Sequence, residues 1–251
     1  MTVQLYAFEC GRITLATRFL LSGATGNITI PVPAFLVIHP AGKVLFDSGL
    51  NRMLLSDPAG YIGERAADVS VDFAPGQEIS TQLALMDMGA ADITHLVNSH
   101  LHLDHAGGND QIPNAPVYVQ AREWHWAQDP PGPGPYEKRD YSTGQEMKLI
   151  DGEHDLFGDG SVTCIPTYGH TPGHQSLRVR SEGGEFFLTA DACYMRRTLE
   201  QLHLPEILHD ADQMLATLHR LRRYQAAGAH MIFGHDPESW ETVPRAPRRV
   251  G

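Results

Sequence analysis

The chain is poor in cysteine. Its 251 residues include only Cys10, Cys164 and Cys193. They are scattered, odd in number and lack Cys-x-x-Cys spacing, which excludes a disulfide framework and makes the reducing cytoplasm the expected compartment. Basic residues are also few. Against 30 Asp and Glu stand 19 Lys and Arg, a formal net charge of -11. A surface this acidic repels phosphate backbones, so nucleic acid is excluded as substrate or partner. Long apolar runs are missing too: none approaches the roughly 20 residues needed to cross a bilayer, so no membrane partner is expected. The opening residues 1–8 lack a basic start and a long apolar core, and read as a first strand and not as a signal peptide. Neither an internal repeat nor an interdomain linker interrupts the chain. With a hydrophobic fraction of 42%, it suits one α/β domain over residues 1–251, as a monomer or a homodimer.

What the chain does have is histidine in an unusual density. Val97-Asn98-Ser99-His100-Leu101-His102-Leu103-Asp104-His105-Ala106-Gly107-Gly108 reads His-x-His-x-Asp-His, four metal-ligand types within six positions. Residues this polar are not tolerated side by side in an apolar core without partners. The β-branched, apolar run Ile93–Val97 before them predicts a buried strand, so the ligands sit where a strand opens into a loop. If the backbone stays extended, His100 and His102 point the same way and grip one metal. Asp104 and His105 are adjacent, need a turn, and are aimed at a second metal. Gly107 and Gly108 then allow a tight bend.

The same arrangement recurs along the chain. Val3–Phe8, Ala34–His39 and Val44–Phe46 read as strands, the last two forming a hairpin about residues 40–43. Asp47 follows; it either steadies a ligand from behind or simply forms the turn. Residues 51–76 read as a long loop, a candidate lid. Gln77–Met88 reads as a helix closed by Gly89. Val117–Val119 is a strand. Arg122–Gln128 is a short helix whose Trp124 and Trp126 read as packing rather than a cofactor box. Residues 129–135, rich in proline, read as an irregular pocket rim. Strands at Met147–Ile150 and Ser161–Ile165 lead to Gly169-His170-Thr171-Pro172-Gly173-His174. A hairpin, Ser176–Arg180 with Phe186–Leu188, delivers Asp191. An amphipathic helix, Ala211–Gln225 with Gly228 beyond its end, precedes a last strand, Ala229–Phe233, that delivers His235. The tail from Pro244 reads as loose. Apolar strands thus end repeatedly in ligand types, five histidines and two aspartates in sum. α/β folds gather strand ends at one place, and the inventory suits two Zn²⁺ ions without any cysteine.

These motifs resemble the metallo-β-lactamase superfamily, with its His-x-His-x-Asp-His, a later His, a bridging Asp and a final His. Within it, the chain looks most like the N-acyl homoserine lactonases. The resemblance runs nearly end to end, through Ser99–Asn109, Gly169–Leu177, Asp191-Ala192-Cys193-Tyr194 and Phe233–Asp236. It implies an αββα sandwich with a dinuclear site at one sheet edge. One zinc takes His100, His102 and His170; the other takes Asp104, His105 and His235; Asp191 bridges them. Asp47 orients ligands from behind, and His174 is structural or plays a similar backing part. Tyr194, which on its own reads as an ordinary buried tyrosine, matches a substrate-binding tyrosine. The implied reaction is attack of a hydroxide bridging the metals on a lactone carbonyl. Tyr194 stabilises the developing oxyanion, and Asp104 carries a proton to the leaving ring oxygen.

Other readings keep the site and change the pocket. A lactonase for another ring, such as 4-pyridoxolactone, needs the same chemistry. A β-lactamase is usually exported, which the opening residues argue against. A nuclease conflicts with the acidic surface. A binuclear iron redox protein typically has an acid in place of His102. A binding protein without turnover has no use for a complete ligand set beside a positioned tyrosine.

Overall fold

The computed structural model describes residues 2–130 and 134–251. Of the irregular segment expected at 129–135, residues 131–133 therefore lie outside the described residues. Seven strands make the first sheet: β1 (Gln4–Ala16), β2 (Asn27–His39), β3 (Gly42–Phe46), β4 (Val69–Asp72), β5 (His95–Val97), β6 (Val117–Gln120) and β7 (Met147–Ile150), in the order β4-β1-β2-β3-β5-β6-β7. The second sheet has five: β8 (His154–Asp155), β9 (Val162–Pro166), β10 (Gln175–Ser181), β11 (Gly184–Leu188) and β12 (His230–Ile232), in the order β12-β11-β10-β9-β8. The helices are α1 (Pro58–Ile62), α2 (Ile79–Ala84), α3 (Leu103–Ala106), α4 (Ala121–Gln128), α5 (Lys138–Tyr141), α6 (Arg196–Gln201), α7 (Ala211–Ala226) and α8 (Pro237–Thr242).

Side-chain alternation along the strands builds the layers. Leu5, Val37, Phe46 and Val97 of the first sheet meet Cys164, Leu177 and Leu188 of the second in one buried cluster. The opposite faces of the same strands, through Phe8, Leu36, Leu45 and Leu96, pack on Ile79 and Leu83 of α2. On the far side, Ile165 and Phe187 pack on Leu218 and Leu221 of α7. Helix, sheet, sheet and helix thus stack as an αββα sandwich. Each fully buried Leu, Val or Phe contributes about 1.5–3 kcal/mol. The longest helix, α7, starts where the Asp210 side chain accepts the Gln213 N–H at 2.9 Å, and ends before Gly228 at φ 101°. No described helix is long and apolar enough to cross a membrane.

Four local expectations are corrected. Strands β1 and β2 run far beyond 3–8 and 34–39. Their ladder continues through a bulge between Glu9 and Arg12, and Pro31 and Pro33 of β2 stand opposite those two residues. A bulge relieves the ladder of donors that proline lacks, which is why prolines fit inside this strand. Residues 51–76 are not one loop. Asp57 caps α1, which has Pro58 at its first position, and Val69–Asp72 pairs with Arg12–Leu15 as edge strand β4. Helix α2 stops at Ala84, and Gly89 instead opens a 3-10 turn over Ala90–Asp92, with Asp92 accepting the Gly89 N–H. The tail is tied down. Val250 and Ala246 donate to the Leu5 and Ala7 carbonyls, and Leu5 donates to that of Gly251. Tail and β4 divide the free edge of β1 between them, satisfying backbone groups that an open edge would expose.

Residues 51–62 are fastened by a buried acid. Asp140 of α5 accepts hydrogen bonds from Asn51 Nδ2 at 2.9 Å and from the Tyr61 hydroxyl. Burial carries its carboxyl up to about 7, against the lowering influence of those two hydrogen bonds. The folded state therefore holds this proton more tightly than the unfolded chain, and its contribution is lost as pH rises from about 4 through about 7. Thermal melts between about pH 5 and pH 8 should show a decline in the wild type that is shallower in Asp140→Asn. Parallel declines in the two proteins would remove Asp140 as the cause.

Candidate metal centre

Strands of both sheets deliver their next residues to one edge. Asp47 follows β3, residues 100–105 follow β5, His170 lies between β9 and β10, Asp191 follows β11 and His235 follows β12. The turn required by the adjacent Asp104 and His105 is α3: His102 is its N-cap, and Asp104 and His105 lie in its first turn. Gly107 and Gly108 do not serve the bend, since neither has positive φ. They allow two strand-end loops to touch. A Cβ on Gly107 would stand 2.5 Å from the Asn51 nitrogen, and one on Gly108 2.3 Å from the Ser48 carbonyl oxygen.

Inward-pointing atoms fall into two trios. His100 Nε2 is 2.9 Å from His102 Nδ1, which is 3.2 Å from His170 Nε2. His105 Nε2 is 3.4 Å from His235 Nε2, and each is 3.6 Å from Asp104 Oδ2. Asp191 stands between them. Its Oδ2 is 3.3 Å from His170 Nε2 and 3.8 Å from His100 Nε2, while Oδ1 is 3.2 Å from His105 Nε2 and 3.0 Å from His235 Nε2. Oδ1 is buried and makes no hydrogen bond among the described residues. Such an orphaned carboxylate oxygen, ringed by imidazole nitrogens, fits a divalent cation. The grouping that can hold ions is His100, His102, His170 and Asp191 on one side, and Asp104, His105 and His235 on the other.

The electrostatics of the two trios differ. Burial pushes His100, His102 and His170 below the usual histidine range, which keeps their lone pairs free. Burial also depresses His105 and His235, but carboxylates led by Asp191 carry both above it. Burial would protonate Asp191, yet His105, His235 and His170 hold its carboxyl well below the ordinary range. An ionised carboxylate therefore sits at the centre.

Four of the five outer ring nitrogens have a partner among the described residues, as metal-binding imidazoles require. His105 Nδ1 donates to Asp47 Oδ2 at 2.9 Å, and Asp47 Oδ1 accepts the Ser99 N–H at 2.7 Å. His235 Nδ1 donates to the Pro31 carbonyl at 2.8 Å. Ser99 Oγ lies 2.9 Å from His100 Nδ1, and the Tyr194 hydroxyl 2.9 Å from His170 Nδ1. His174 stands behind the trios: its Nε2 accepts the Asp191 backbone N–H at 3.1 Å, and its Nδ1 is 2.9 Å from Thr167 Oγ1. Asp47 and Ala190, the residue before Asp191, adopt left-handed backbone at φ 59° and 45°. Strain of this kind collects where surrounding contacts fix a site. All seven expected ligands and Tyr194 are brought together, with Asp47 and His174 directly behind. Ser99 and the Pro31 carbonyl were not anticipated. Ser99 had only its place beside His100 to suggest it, and a backbone carbonyl leaves no signal in sequence.

A cavity of about 320 Å³ opens over the centre. His102, Asp104, Asp191, Tyr194 and His235 form its polar end; Ile13, Leu15, Phe19, Leu20 and Ile30 form an apolar wall. Ile62, Arg65, Val69 and Val71 bring the 51–76 segment to its rim. A second cavity, of about 330 Å³, shares His102 and His170 and is lined by Trp126 and His209. Trp124 packs with Leu101 and Ala127, as its helix suggested, but Trp126 faces that second cavity.

Sandwich and paired ligand trios define the class. The metallo-beta-lactamase superfamily model matches residues 28–235. AttM of Agrobacterium fabrum, an N-acyl homoserine lactonase, is 32% identical over 256 residues, covering 98% of this chain and 97% of that protein. AiiA of Bacillus thuringiensis subsp. kurstaki, also an N-acyl homoserine lactonase, is 29% identical over 256 residues and covers 100% of both chains. A solved N-acyl homoserine lactone hydrolase, with N-hexanoyl-L-homoserine bound at its catalytic metal centre, superposes with a TM-score of 0.90 at 28% identity over 100% of both chains. The chain belongs to the metallo-β-lactamase superfamily and, within it, to the N-acyl homoserine lactonase family.

Asp47 offers a direct check on the anchoring. Asn keeps the size of Asp and tolerates left-handed backbone, but loses the charge facing His105. Asp47→Asn should bind divalent metal about 10- to 100-fold more weakly in competition with a chromogenic chelator. Unchanged affinity would make Asp47 a turn residue only.

Proposed function

We propose that the protein opens the lactone ring of N-acyl homoserine lactones by adding water across the ring ester, with two zinc ions held by the two trios and bridged by Asp191. The observation that carries this reading is the split of the Asp191 carboxylate, one oxygen toward each trio, at the polar end of a cavity with apolar walls. The names of AttM and AiiA, and the product bound in the solved relative, support the substrate class. Three buried, free cysteines suit a cytoplasmic enzyme.

Zinc bound at such a site supplies Lewis-acid polarisation and brings a water's pKa from about 15.7 to about 7, on the order of 12 kcal/mol in favour of hydroxide. The chain does the rest. His170 presents Nε2 to its trio, so the neutral ring carries its proton on Nδ1 and donates to the Tyr194 oxygen 2.9 Å away. That leaves the phenol O–H, directed in the free protein toward the Asp191 carboxylate, to turn to the ester carbonyl oxygen as negative charge develops there. Burial, then Asp191 and Asp104, keep the phenol's pKa well above its usual value, so it remains a neutral donor. Asp104 is the most exposed of the inner carboxylates, with its side chain 15% accessible against 6% for Asp191. In this reading Asp104 accepts the proton left on the attacking oxygen and passes it to the ring oxygen as the acyl–oxygen bond breaks. The apolar wall receives the acyl chain, and the product is a single molecule, the ring-opened N-acyl homoserine, with one new carboxylic acid, one new alcohol and the amide intact.

Protein purified without chelator should carry close to two equivalents of metal by elemental analysis, zinc foremost; full activity at one equivalent would end the dinuclear reading. Mass spectrometry of the product should show the gain of one water and no free fatty acid, whereas release of fatty acid and homoserine lactone would mean amide cleavage. Tyr194→Phe should fold and keep metal but turn over roughly tenfold or more slowly, less than the 10²–10³ typical of a lone oxyanion donor because the metal shares the charge. Wild-type kinetics would reduce Tyr194 to packing.

A further inference from the structure

We propose that Glu123 is a positioning residue that sets the His100–His102–His170 trio through the backbone, leaving the other trio to Asp47 and Pro31. The proposal rests on the reading that both trios hold metal. Glu123 lies in the first turn of α4 and is wholly buried. Its Oε1 accepts the Leu101 N–H at 3.1 Å and the Tyr136 O–H at 2.8 Å. Its Oε2 accepts the Gly173 N–H at 3.1 Å. Leu101 is the residue between His100 and His102, and Gly173 lies in the turn from His170 to His174. One carboxylate thus fastens both segments that carry the first trio. Its third arm reaches the same place: the Tyr136 ring stands edge-on to His102 with centroids 4.6 Å apart, and Tyr136 forms a β-bridge with His102.

Among the described residues, the surroundings of Glu123 give no other reason for a carboxylate. Ala127 of α4 is buried in one cluster with Leu101 and Val119, and Trp124 and Tyr136 pack against it. In such a place an apolar residue of similar volume serves stability as well or better. Burial raises the Glu123 carboxyl above the usual carboxylate range, and the donors that counter this in part all belong to ligand-bearing or ligand-touching segments, which is what a geometric clamp requires. Contact with the turn is backbone-close: a Cβ on Gly173 would stand 2.1 Å from the Glu123 nitrogen. Displacement of α4 at Glu123 therefore reaches the His170–His174 turn directly. His105 and His235 are anchored on Asp47 and the Pro31 carbonyl instead. The expected effect is accordingly confined to one site.

Glu123→Gln keeps an acceptor for one side but sets an NH₂ group against a backbone N–H on the other. Zinc affinity is measured by competition with a chromogenic chelator, and the ligand field by Co²⁺ absorption, in two single-site backgrounds. In His235→Ala, where the remaining strong site is the first trio, adding Glu123→Gln should weaken binding about 10- to 100-fold and shift the Co²⁺ bands. In His170→Ala, where the second trio remains, the same change should leave affinity within about twofold, below the effect expected of a lost ligand anchor. Equal losses in both backgrounds, or no loss in either, would overturn the proposal while leaving the dinuclear reading intact. Failure of the wild type to take a second ion would overturn both. Should Glu123→Gln not fold, Tyr136→Phe removes one arm and decides the matter: a smaller loss confined to the first trio supports the clamp, and an equal loss at both trios or none refutes it.

Discussion

Everything in this molecule turns on one carboxylate shared between two sets of imidazoles. Asp191 places Oδ2 near His100 and His170 and Oδ1 near His105 and His235. A buried anion in that position is untenable without compensating positive charge. The trios supply part of it through His105 and His235, and divalent metal is the complement that the clustered His and Asp side chains fit. His174 holds the Asp191 backbone and Tyr194 contacts His170 from the cavity side. The carboxylate is therefore fixed from behind while its oxygens are left to the centre.

The fold is a device for bringing strand ends to that carboxylate. Close backbone contacts make the convergence possible. A Cβ on Gly234, next to His235, would stand 2.4 Å from the Ala190 carbonyl oxygen, and one on Gly49 2.3 Å from Cys10 Cβ. Ala190 accepts left-handed backbone where β11 ends, immediately before Asp191. Larger residues at these glycines would separate the loops, and with them the ligands.

Much of this was readable in the sequence. Ligand types crowded into 100–105 or standing alone after apolar strands have few structural explanations, and the strands themselves announce their ends. Less readable were features that depend on distant partners. The extensions of β1 and β2 were hidden by Gly11 and by Pro31 and Pro33, residues that weaken a strand pattern unless a bulge absorbs them. The helix and edge strand within 51–76 are too short for periodicity to reveal. The order in the tail comes from backbone hydrogen bonds to β1, which carry no residue signature. Glu123 carries no signal of its own in the sequence, because its donors arrive from 101, 136 and 173.

Cavity and centre divide the labour of recognition. The polar end is specified by residues that also hold the site together, and so has little freedom to vary. The apolar wall of Ile13, Leu15, Phe19, Leu20 and Ile30, with the rim from 51–76, supplies no side chain to either trio. The claim on which all of this depends is that Asp191 joins two metal ions. A crystal structure of zinc-loaded protein, with anomalous differences recorded on both sides of the zinc edge, tests it most directly. Two zinc peaks are predicted, one among His100, His102 and His170 and one among Asp104, His105 and His235, each in contact with a different oxygen of Asp191. A single peak at full zinc occupancy, or an Asp191 carboxylate turned away from either ion, would contradict it.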